Sequence, residues 1–213
     1  MQDKILKTSQ KILMIGWIIL LHMILYFLVN LINSKRPESD FFIYSLSIDK
    51  SLPYLSWTWT IYYFGDVYIT IGAALIVWRL NSKEFKNAIL VYTGMIFSGA
   101  LIQVLFPAQA PWPEKIAPSH LFFHDLVKMK PFACFPSMHV ALAVFPACLL
   151  FSITKNKLIR ILSTTTAALI SISTVTLKEH YIMDVLSGLV LALIFHAVWI
   201  ALSKEKTVQL QET

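Results

Sequence analysis

The chain has 213 residues, 57% of them hydrophobic and only 14% charged, with a mean hydropathy of +0.66. A water-soluble domain of this size cannot hide that much apolar surface, so the composition excludes one and makes lipid the solvent. The formal net charge of +6 is no nucleic-acid footprint, because the basic residues are spread over many loops; no nucleic-acid partner is expected.

Apolar runs of about 20 residues, the length that crosses roughly 30 Å of hydrocarbon, recur along the chain. Six are read, at about Ile12–Ile32, Leu55–Trp78, Ala88–Phe106, His139–Ile153, Leu158–Thr176 and Tyr181–Leu202. Backbone in lipid must bond to itself, which makes the runs helices. The expected fold is all-α: a polytopic integral membrane protein built as a six-transmembrane-helix bundle. One membrane-embedded domain covers residues 1–213, with 203–213 as a polar cytoplasmic tail expected to be disordered.

The first run is too long for a cleaved signal and lacks a small-residue cleavage pattern, so it reads as a retained anchor. The second holds Asp66 within "YYFGDVYIT", a carboxylate about 15 Å below the helix end by its rise. It is read as structural, bonded to a Tyr or Thr on a neighbour, in preference to orienting a catalytic group. Trp57, Trp59, Tyr62 and Tyr63 read as an interfacial belt. The fourth run is short and contains Pro146.

With the N-terminus inside, the inner segments hold eleven basic residues, from Lys4 to Lys206, against four acidic ones (Asp3, Glu84, Glu205 and Glu212). The outer loops hold seven basic and six acidic residues. The excess of inner Lys and Arg predicts a multi-pass cell-membrane protein with both termini cytoplasmic. Cys134 and Cys148 lie 14 residues apart, about 20 Å along a helix, so no disulfide is expected and both read as packing residues. His22 and His196, alone in apolar helices, read as packing side chains with one hydrogen bond each. His120 and His124, with Asp125 beside them, read as an exposed loop and not as a metal site.

Two stretches do not fit a plain apolar bundle. "CFPSMHVALAVFPACLL" places Pro136, Ser137 and His139 at the start of the fourth run, and "KEHYIMDVLSG" places His180 and Asp184 at the start of the sixth. A single span separates them, so parity puts both histidines at the same membrane face, here the outer one. His180 and Asp184 are four residues apart and share one helix face. A carboxylate there accepts a hydrogen bond from one imidazole nitrogen and leaves the other as an oriented base or nucleophile. At the first site, proline suits the opening turn, and the free N–H groups with the positive helix end form a site for an oxyanion such as phosphate. Ser137 and His139 add donors on the same turn.

"FPSMH" followed by "EHYIMDVLSG" resembles the type-2 phosphatidic acid phosphatase superfamily of membrane lipid phosphatases and phosphotransferases. Its closest likeness is to the inositol phosphorylceramide synthase and sphingomyelin synthase branch. The likeness is specific over about 30 residues and extends loosely to the whole chain through the order of the helices. It implies metal-independent phosphoester hydrolysis or transfer on a lipid phosphate, without a cofactor, through a phosphohistidine intermediate. By the same resemblance His180 is the nucleophile, Asp184 orients it, His139 protonates the departing alcohol, and Ser137 helps hold phosphate oxygens. Water as acceptor makes a phosphatase; an alcohol such as ceramide, inositol or diacylglycerol makes a synthase.

Two features of the phosphatase branch are missing. Position 174, where that branch carries an arginine, is Thr174, and Arg36–Pro37 lacks the branch's lysine seven residues earlier, where Val29 stands. The cations left for phosphate are Lys178, Lys115, Lys128 and Lys130, of which Lys178 is nearest in sequence. The rivals are a proton-coupled transporter and a metal-dependent membrane hydrolase using the same His and Asp residues. The scarcity of glycine and the lack of a repeat count against the first; sensitivity to a chelator tests the second.

Overall fold

A computed structural model of the protein describes residues 5–112, 116–117 and 132–204. The loop histidines His120 and His124, Asp125, the lysines Lys115, Lys128 and Lys130, and the polar tail beyond Lys204 lie outside the described residues. The chain forms α1 (Thr8–Asn33), a short α2 (Ser47–Ser51), α3 (Ser56–Trp78), α4 (Ser82–Leu105), α5 (Met138–Ile153), α6 (Lys157–Thr176) and α7 (Ile182–Lys204). There is no strand among the described residues. Helices α1, α3, α4, α6 and α7 are long and apolar enough to cross a bilayer. The 16 residues of α5 rise only about 24 Å, so the expected six spans become five long ones and a shorter, buried one.

The helix starts follow capping chemistry that hydropathy does not register. Asn81 accepts from the N–H groups of Lys83 and Glu84, while Glu84 returns a bond to the Asn81 N–H. This reciprocal cap starts α4 six residues before the expected Ala88, because a polar first turn reads as loop by hydropathy alone. Asn156 caps α6 in a similar way, through the N–H groups of Leu158 and Ile159. Pro146 sits inside α5 without ending it, as buried membrane helices tolerate where neighbours satisfy the backbone.

Helix α5 is the centre of the bundle, packed on α6 and α7, while α4 joins α7 to α1. Phe85, Met95, Phe145 and Leu149 are fully buried between these elements. Outward faces remain apolar, with Leu20, Ile24, Leu101 and Leu193 exposed, as a lipid solvent requires.

Three amides tie the approach to α5. Gln103 donates to the carbonyls of Ala133 and Pro136. Asn33 donates to the carbonyls of Gln103 and Phe132, and Asn30 accepts from the Phe132 N–H. Each amide is buried, so each bond replaces water that cannot enter. Replacing Gln103 by leucine strands two carbonyls and is expected to cost about 2–4 kcal/mol, read as a lower detergent-denaturation midpoint.

Candidate active site

The α6–α7 turn sets one half of the site. Helix α6 ends at Thr176, and Lys178 then adopts a left-handed backbone with φ 61°. That conformation lets the N–H groups of both Glu179 and His180 reach the Thr174 carbonyl and reverses the chain. Asp49 on α2 braces the turn from outside. Its carboxylate accepts from the N–H groups of Leu46 and Ile182, so it caps α7 across the chain, and its carbonyl accepts from the Lys178 ammonium. Thr174 is wholly buried beneath the turn.

Helix α5 supplies the other half. A cis peptide bond joins Phe135 to Pro136, and Ser137 then caps α5, its hydroxyl accepting from the Val140 N–H at 3.4 Å. The Ser137 N–H donates to the Asp184 carbonyl at 3.0 Å, a direct backbone bond between the starts of α5 and α7. Gly188 makes that approach possible: a Cβ there would collide with the Ser137 carbonyl and crowd Val140. Gly188→Ala is expected to push the two helix starts apart, at about 1–3 kcal/mol of stability. Its second readout is turnover, which falls with the loss of alignment.

His180 and His139 meet where these halves join. Their ring centroids are 6.2 Å apart, with planes inclined at 63°. The His180 Nδ1 lies 3.4 Å from Asp184 Oδ2, which also accepts from the Tyr181 N–H at 2.9 Å. Asp184 is completely buried and its second oxygen, Oδ1, has no protein partner among the described residues. With Nδ1 engaged, the His180 Nε2 is the nitrogen left for chemistry. His139 has a carboxylate of its own: its Nε2 lies 3.1 Å from Asp66 Oδ1, and its Nδ1 lies 3.4 Å from the Tyr62 hydroxyl.

Asp66 therefore does not play the expected role of bonding a neighbouring Tyr or Thr. It pairs with His139, and the two histidines each carry one carboxylate. Tyr62 and Tyr63 also depart from expectation. Tyr62 is buried against the His139 ring, at a 4.5 Å centroid distance, and both tyrosines line the cavity instead of a belt. Trp57 keeps the exposed position that a belt residue needs.

The histidine pair opens into a cavity of about 670 Å³ bounded by α1, α3, α4 and the α6–α7 turn. His22, Tyr26, Asp66, Glu179, His139 and His180 are among its polar lining residues. His22 thus faces the cavity and not a packed interior, whereas His196 makes the single bond expected of it, to the Ser152 hydroxyl at 2.9 Å. Buried Glu179 accepts from the Trp112 indole N–H at 3.2 Å. Cys134 also reaches the lining, but burial, with Asp184 and Glu179 nearby, pushes its thiol well above the usual range. It stays a thiol and a poor nucleophile. Cys134 and Cys148 form no disulfide.

Of the residues singled out from sequence, His139, His180 and Asp184 come together. Ser137 stands directly behind them, wholly buried in its capping role. Lys178 does not line the cavity; its ammonium is on the Asp49 carbonyl. Asp66, Tyr62, Asp49 and Gln103 were not among the candidates. Only Asp66 carried a signal, as an intramembrane acid. No group of three or more His, Cys, Asp or Glu side chains suited to a metal ion is present among the described residues.

A helical membrane bundle with two imidazole–carboxylate pairs side by side at one cavity defines a class of membrane proteins suited to acid–base or nucleophilic chemistry. The chain matches the description PAP2 superfamily over residues 45–198, a stretch holding both pairs, and belongs to that superfamily. No curated protein and no solved structure matches the chain. Membership makes phosphoester hydrolysis or transfer the general chemistry of the site.

Proposed function

We propose that the protein transfers the phosphoryl group of a membrane lipid phosphate through a phosphohistidine. The His180 Nε2 attacks phosphorus, and the bond from phosphorus to the leaving alcohol breaks as the N–P bond forms. Asp184 holds the Nδ1 proton and stabilises the charge that develops on the ring. His139 donates a proton to the departing oxygen, then withdraws one from the incoming water or alcohol, which attacks the phosphohistidine and releases His180. Asp66 on Nε2 leaves Nδ1 as the proton carrier, the position now reached by the Tyr62 hydroxyl.

Phosphate oxygens are assigned to the start of α5, where the first N–H groups have no helical carbonyl partner and Ser137 fixes the turn. Lys178 is assigned to neutralising the phosphate, which requires its ammonium to exchange the Asp49 carbonyl for a phosphate oxygen. The excess of inner basic residues supports an extracytoplasmic active site with both termini in the cytoplasm. "FPSMH" and "EHYIMDVLSG" favour the inositol phosphorylceramide synthase-like branch, with ceramide, inositol or diacylglycerol as acceptor.

The observation that carries this reading is the 6.2 Å separation of two imidazoles from different helices, close enough for both to address one phosphoryl group. The test incubates purified protein with a panel of lipid phosphates in EDTA, with and without ceramide, inositol or diacylglycerol. Released phosphate identifies a hydrolase and a new phospholipid a synthase. Loss of turnover in EDTA, restored by a divalent metal, would overturn the metal-independent route.

A further inference from the structure

We propose that the cleft between α1 and α3 holds one acyl chain of the substrate lipid, which enters sideways from the bilayer. The proposal rests on the lipid-phosphate reading above and adds where the tail goes. A second, narrower cavity of about 100 Å³ lies beneath the histidine cavity, and His22, Met23, Ile69 and Ile96 line both. The two cavities adjoin through these shared residues, the upper one polar at the histidines and the lower one apolar.

The lower part is walled by Ile15, Ile18 and Ile19 of α1 and by Ala73, Ala74 and Val77 of α3. Helix α1 packs chiefly on α4, and it meets the far end of α3 where the Lys11 ammonium donates to the Trp78 carbonyl at 3.1 Å. The small side chains of Ala73 and Ala74 keep the passage open. From Asp66 to Val77 the helix rises about 16 Å, close to half of the roughly 30 Å hydrocarbon core. A lipid anchored by its phosphate between His139 and His180 can therefore lay one chain along a single leaflet. The polar-to-apolar gradient matches one amphiphile, and His22 stands at the change, where the carbonyl joining tail to head group would fall.

The test compares kcat/KM for a long-chain lipid phosphate with that for its short, water-soluble analogue, in full-length protein. Ala74→Phe, and Ile19→Trp on the facing helix, are expected to lower the long-chain value by about tenfold or more while leaving the short-chain value within about twofold. Leu20→Trp, exposed to lipid and outside the cleft, changes neither. An equal fall on both substrates, or no fall in a variant that melts like the parent, overturns the proposal.

Photo-labelling of the unsubstituted protein decides it independently of how the variants fold. A long-chain lipid phosphate with a diazirine halfway along its tail is expected to mark Ile15, Ile18, Ala74 or Val77, with excess unlabelled lipid phosphate suppressing the mark. Labelling confined to α6, or suppressed equally by a neutral diacylglycerol, means bulk lipid occupancy and overturns it. Inactivity of the parent protein on every substrate would instead defeat the phosphoryl-transfer reading, and the labelling pattern would still decide the cleft.

Discussion

Replacing His180 by alanine is expected to lower turnover by at least about a thousandfold, equivalent to about 4 kcal/mol of transition-state stabilisation. His180 is 5% exposed and sits at the histidine cavity, so the substitution removes the proposed nucleophile while changing little surface. A good leaving group, such as p-nitrophenolate, cannot restore the lost rate, because the attacking nitrogen itself is gone. Rapid-mixing experiments quenched in alkaline detergent, with the lipid labelled in its phosphate, check the chemistry directly. The parent protein should show an acid-labile, base-stable phosphoenzyme, and His180→Ala none. Full turnover in that variant would remove His180 from the mechanism.

Asp66→Asn is expected to lower kcat by about ten- to a thousandfold with KM little changed, since Asp66 acts through His139. The amide keeps the shape but loses the charge that stabilises protonated imidazole at 3.1 Å. If His139 serves as the acid, the defect shrinks sharply in the first-turnover burst when the leaving group is p-nitrophenolate, which departs without protonation. His139→Ala should follow the same pattern, and the double variant should be little worse than either single one. A merely structural Asp66 predicts an equal loss for every leaving group together with a lower melting point. That outcome would return Asp66 to the packing role first read from the sequence.

Much of the candidate site was legible in the sequence because both motifs are local. His180 and Asp184 share a helix face by spacing alone, and parity of the spans places His139 at the same end of the bundle. The second carboxylate was less legible. Asp66 was visible as a costly intramembrane acid, but its partner lies 73 residues away, and spacing carries no information about which face of α3 meets α5. Tyr62 shares that difficulty: an aromatic near a helix start fits a belt or a cavity wall equally well until the neighbour is known. Lys178 was nearest to His180 in sequence, yet the left-handed turn directs its ammonium to Asp49 on α2.

By itself the sequence determined the solvent, the helical class and two histidine-bearing helix starts, because hydrophobic run length, backbone satisfaction in lipid and i,i+4 spacing act within one segment. Only the tertiary structure decided which carboxylate lies beside His139, how Gly188 lets α7 close on α5, and which residues of α1 and α3 line the lower cavity. These depend on helix rotation and long-range contact. In lipid, apolar faces of nearly equal hydrophobicity give the sequence little preference for one rotation over another, so close packing and buried polar partners make the choice.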